Sequence, residues 1–153
     1  MATETDTITE RGTGVADWQA GVAGGIVGAA VMAALVVAMN PPTITAAIPA
    51  LYGLSGGVAG IAVHVAHGAV LGVVFAAILR FAPIPEDSAT AVVGTGLAWG
   101  VLTWVLLAAL VMPVWLGAVG FPKAPPLPNF AVPSLVWHVV YGGVLGVVYA
   151  ALR

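Results

Sequence analysis

No Asp, Glu, Lys or Arg stands between Asp17 and Arg80, and Lys123 alone interrupts the stretch from Asp87 to Arg153. Water-soluble domains carry about 25% charged residues, whereas this chain has 7% and a mean hydropathy of +1.09. Such a chain belongs in lipid. Four nearly charge-free segments, residues 19–40, 58–79, 91–112 and 133–152, each approach the roughly twenty residues, at about 1.5 Å rise, that cross a hydrocarbon layer about 30 Å thick. The expectation is an all-α polytopic membrane protein with four transmembrane helices and no room for a separate soluble catalytic domain.

The same composition narrows function. There is no cysteine, which excludes disulfides, thiolate metal sites and iron–sulfur clusters, and a net charge of −2 with a single lysine offers no surface for nucleic acid. Residues 1–18 read as a flexible acidic tail (Glu4, Asp6, Glu10, Asp17) ahead of an uncleaved anchor, because the apolar run that follows is too long for a signal peptide. Arg11, Arg80 and Arg153 fall on the side of the termini and Lys123 on the other, so positive-inside counting places both termini in the cytoplasm of a cell-membrane protein.

HVAHGAVLGVVFAA (64–77) and HVVYGGVLGVVYAA (138–151) match at ten of fourteen positions with an offset of 74. Upstream, Ala33-Ala34-Leu35-Val36 resembles Ala108-Ala109-Leu110-Val111, and Met39-Asn40-Pro41 stands where Met112-Pro113 follows in the second half. The spacing predicts two parallel helical-hairpin repeats, residues 19–80 and 91–153, joined by a cytoplasmic loop at 81–90 and related by an axis along the membrane normal. The outer connections, PPTITAAIPALYGLSGG and PVWLGAVGFPKAPPLPNFAV, are too rich in Pro and Gly for one continuous helix. Tyr52, Trp115 and Phe121 in them read as interfacial anchors, and Asn40 and Asn129 as helix-end hydrogen bonders. Gly24/Gly28, Gly68/Gly72 and Gly142/Gly146, with Gly21/Gly25, Gly56/Gly60 and Gly96/Gly100, have the four-residue spacing that lets membrane helices approach closely.

His64 and His138 each precede glycines at i+4 and i+8, so the imidazoles share the small-residue face and point into the bundle. A buried ionisable group within a membrane needs a partner, which makes this pair the candidate site. Four uses are open: pinning a carbonyl freed near the proline-broken loops, bis-imidazole ligation of haem b, a proton or small-solute path through His64, His67 and His138, and quinone or lipid contact. His67 becomes Tyr141 in the second stretch, which keeps a polar position but loses a ligand, so no metal cluster is expected. No phosphate loop, nucleophile elbow, HExxH or intramembrane acidic pair occurs, and no catalytic residue is expected.

The order of a small-residue helix, an Ile48-Pro49 loop, the HxxxGxxxG helix, Val111-Met112-Pro113, a GFP loop and SLVWHVVYGGVLGVVYA (134–150) resembles the small four-helix membrane proteins of halophilic archaea. More distantly it is similar to the YagU-like inner-membrane family. The resemblance implies a four-helix integral membrane protein without an assigned activity. With the glycine faces, it suggests a non-enzymatic small subunit or homo-oligomer in the bilayer or a larger membrane complex. The alternatives are a haem-binding electron carrier and a small-solute or proton transporter.

Overall fold

The computed structural model describes residues 15–153; Arg11 and the acidic Glu4, Asp6 and Glu10 lie outside the described residues. Among the described residues there is no strand, and four helices are long and apolar enough to cross a membrane: Asp17–Met39, Gly57–Phe81, Ala89–Ala118 and Val132–Leu152. In chain order the elements are α1 (Asp17–Met39), a π-helical segment Thr43–Ala47, α2 (Ile48–Ala50), α3 (Gly57–Phe81), α4 (Ala89–Thr103), a second π-helical segment Trp104–Val111, α5 (Met112–Ala118) and α6 (Val132–Leu152). Helix α4, its π-helical continuation and α5 form the third span.

Glycine determines which helices touch. A Cβ on Gly21 would overlap the Gly72 carbonyl and one on Gly25 the Gly68 carbonyl, so α1 and α3 pack backbone to backbone. The second hairpin repeats the device one helical turn along: Gly96 lies on the Gly142 carbonyl and Gly100 on that of His138. Lipid gives no hydrophobic drive between helices, so this close van der Waals contact is what holds each hairpin. A second glycine face on α1 brings in α6: a Cβ on Gly24 would stand 2.8 Å from Leu145 Cδ1, and one on Gly28 2.8 Å from the Tyr141 carbonyl oxygen. Phe75 and Tyr149, equivalent positions of the two matching stretches, are fully buried and meet edge to face at 5.7 Å.

The α1–α6 contact has no counterpart on the other side. With the offset of 75 that relates Ala33 to Ala108, Gly24 and Gly28 correspond to Trp99 and Thr103. Side chains stand there in place of hydrogen atoms, and α3 meets α4 at only a few positions. The bundle is closed along α1–α6 and open along α3–α4.

The prolines act differently from the sequence expectation. The third helix does not stop at Val111-Met112-Pro113 but continues to Ala118, and the counterpart of Met112-Pro113 is Ile48-Pro49 rather than Met39-Asn40-Pro41. In both places a π-helical segment leads into a short helix with proline second. Proline has no N–H, so the carbonyls four residues back, Thr45 and Ala109, lose their helical donor. Backbone amides from the following loops replace it: Gly56 donates to Thr45 at 3.1 Å and Asn129 to Ala109 at 2.9 Å. Within a membrane such a carbonyl needs a protein partner, and here the partner ties the loop onto the bundle. Asn129 thus bonds through its backbone N–H. Substituting Pro113→Ala restores a competing N–H, and the Asn129 amide is expected to exchange its hydrogen about ten-fold faster, read by hydrogen-exchange mass spectrometry.

At the end carrying both described chain ends, Asp17 accepts from Arg80 at 3.3 Å and pairs with Arg153, whose guanidinium also donates to the Val15 carbonyl at 2.8 Å. These contacts join the start of α1 to the ends of α3 and α6. With Arg80 largely exposed, its pair contributes under about 1 kcal/mol.

Candidate functional site

The opening between α3 and α4 becomes, in the half of the bundle remote from the termini, a cavity of about 480 Å³. His64, His67, His138 and Tyr141 all face it, reached from α3 and α6 at similar depths below their starts. The remaining wall is mostly aliphatic and aromatic, and no Asp, Glu, Lys or Arg lines it. Both π-helical segments contribute, through Thr43 on one side and Leu107, Ala108 and Val111 on the other. Such interruptions recur at functional sites because they turn side chains out of the regular helical register.

The imidazoles are held differently. His138 Nδ1 lies 2.7 Å from the Ser134 carbonyl. A carbonyl only accepts, so Nδ1 carries the proton and, in the neutral ring, Nε2 keeps a free lone pair. The backbone of this turn is seated on Gly100, whose own carbonyl accepts from the Thr103 hydroxyl at 3.0 Å. His64 is 8% exposed and its Nε2 is buried with no hydrogen-bond partner. His67 Nε2 and the Tyr52 hydroxyl share a hydrogen bond of 2.7 Å.

Tyr141 donates to the Gly68 carbonyl at 3.0 Å, crossing from α6 to α3. The bond is available because Gly68 has no side chain to shield that carbonyl. Trp137 donates its indole N–H to Met39 Sδ at 3.1 Å. Among the described residues no three His, Asp or Glu side chains come together as a metal-binding group.

All four site residues expected from the sequence, His64, His67, His138 and Tyr141, face one cavity. Gly24, Gly28, Gly68, Gly72, Gly142 and Gly146 all lie in helix contacts within the chain. Tyr52 and Trp115, expected as interfacial anchors, are 49% and 38% exposed and in addition form an edge-to-face pair, 5.4 Å between centroids, at the cavity wall. The hydrogen bond to His67 holds the Tyr52 ring at the cavity rim, half exposed. Tyr52, Ser134, Thr103 and Trp137 were not legible as site residues, although Ser134 at i−4 from His138 was a usable signal.

The family of unknown function DUF6789 matches residues 15–153. The chain belongs to that family. No curated protein and no solved structure matches it. The match to DUF6789 spans every residue of the cavity and both hairpins, so the site lies wholly inside the family's domain.

Proposed function

We propose that this DUF6789 chain is a non-enzymatic integral membrane protein that binds a small, neutral, lipid-soluble molecule in the histidine cavity. The observation that carries the reading is the chemistry of the wall: an uncharged, largely apolar chamber with a few polar groups, the usual make-up of a small-molecule site between helices. A subunit or homo-oligomer role remains part of the proposal. Because the six glycines are engaged within the chain, such a contact uses other, lipid-facing residues. We place the protein in the cell membrane with both termini cytoplasmic, on the basis of Arg80 and Arg153 at one end and Lys123 at the other. Kinship with the four-helix proteins of halophilic archaea and the YagU-like family belongs to the same reading and rests on the Val111-Met112-Pro113 and 134–150 motifs.

Native mass spectrometry of protein extracted in mild detergent tests the binding role. The expected result is a co-purifying small molecule that disappears in Ala108→Phe, which fills the chamber, while the variant stays folded. An identical spectrum for both proteins overturns the reading.

Haem b is the second reading, favoured by His138, whose Nδ1 is pinned to the Ser134 carbonyl so that Nε2 would be free to ligate the iron. Against it stands the lack of any Arg or Lys in the wall to meet the propionates. A Soret band abolished by His138→Ala and by His64→Ala supports haem, and a colourless folded protein ends that reading.

A further inference from the structure

The polar groups of the cavity are unevenly supplied with donors. Tyr141, Thr103 and Trp137 already donate to partners inside the protein, and Tyr52 is joined to His67. His138 Nε2, by contrast, offers an uncommitted acceptor, because the Ser134 carbonyl holds the ring proton on Nδ1. The Thr43 and Ser134 hydroxyls also line the wall and can donate. The ligand that matches this wall therefore brings a hydroxyl, which donates to His138 and can accept from these, and not a carbonyl, which only accepts. It carries no charge, since nothing in the wall compensates one. It presents a flat ring to a chamber bounded by Trp115, Trp137, Tyr52 and the imidazoles.

The chamber also has a way out. Val70 on α3 and Val111 beside α5 both line it and are 63% and 45% exposed, so the chamber is not sealed along this edge. The gap between α3 and α4 therefore opens sideways, towards acyl chains in a bilayer, and a hydrocarbon tail can leave through it while the head stays between the helices.

Resting on the reading above, we infer that the cavity is a site for a lipid-soluble hydroquinone, one ring hydroxyl donating to His138 Nε2 and the tail passing between α3 and α4, with preference for the reduced over the oxidised form. His138 is the residue that discriminates, because a quinone carbonyl has no hydrogen to give Nε2 and leaves that acceptor unmet, whichever hydroxyl of the wall it accepts from. His64, whose Nε2 has no protein partner, supplies the second imidazole of the wall.

The test uses the full chain in phosphatidylcholine vesicles, titrated with a decyl-benzohydroquinone, the corresponding benzoquinone and the hydroquinone dimethyl ether. Saturable change in the tryptophan emission, to which Trp115 and Trp137 of the wall contribute, is read against Ala108→Phe, which reports membrane partition alone. The hydroquinone is expected to bind about ten-fold more tightly than the other two, the value of one hydrogen bond in a dry site. His138→Leu removes that preference, whereas His138→Gln, whose amide oxygen accepts, retains most of it. A dimethyl ether that binds as tightly as the hydroquinone, or a preference unchanged in His138→Leu, overturns the hydroquinone assignment and leaves the cavity reading intact. No saturable signal from any of the three, together with no small molecule in the native mass spectrum, overturns both.

Discussion

Gly25→Leu is expected to lower the thermal midpoint of the folded protein by about 10 °C. The first added carbon falls on the carbonyl of Gly68, and that atom belongs to a helix backbone with no rotamer to escape into. Relief requires α1 and α3 to separate, which loses the close contact on which the hairpin depends, since apolar side chains gain nothing by leaving lipid for protein. Overpacking a soluble core costs about 1–3 kcal/mol. With backbone on both sides of the contact the upper end applies, and a thermal midpoint lower by about 10 °C follows for a chain of this size. Gly94→Leu is the matched control: same residue change, same kind of helix, but nothing within 4 Å of the added carbon. It should move the midpoint by no more than about 2 °C, as an unobstructed surface substitution does. Equal losses for the two variants would show that helix propensity, and not interhelical distance, sets the effect.

Tyr149→Ala should have a consequence at least as large. Tyr149 and Phe75 are both fully buried and meet at the heart of the terminal half, where α3 and α6 have no glycine contact to hold them. Truncation leaves a void that lipid cannot reach, at a cost of about 3–5 kcal/mol. Tyr149→Phe keeps the ring and loses only a 3.5 Å hydrogen bond to Glu86, so it should cost under about 1 kcal/mol. A double-mutant cycle with Phe75→Ala isolates the edge-to-face term, expected at about 1 kcal/mol. Additive losses in the cycle would mean that the rings contribute volume alone. Unfolding in mixed micelles at increasing denaturing detergent provides the measurement for all four proteins.

These outcomes separate what was local from what was not. Four apolar runs, glycines every fourth residue and a histidine heading each matching stretch are facts about neighbours along the chain. The helical period converts them directly into spans, packing faces and inward imidazoles, so the fold and His64, His67, His138 and Tyr141 could be read from the sequence. Helix ends were less legible where proline intervened. The amides that replace the missing donors come from Gly56 and Asn129, eleven and twenty residues beyond the carbonyls they meet, and no periodicity reports that.

The cavity itself was decided only in three dimensions. It exists because Gly24 and Gly28 draw α6 onto α1 while their counterparts, Trp99 and Thr103, keep α4 off α3. A glycine pattern indicates that a helix can be approached, whereas which partner arrives, and which pair of helices stays apart, depends on how four such faces are satisfied together.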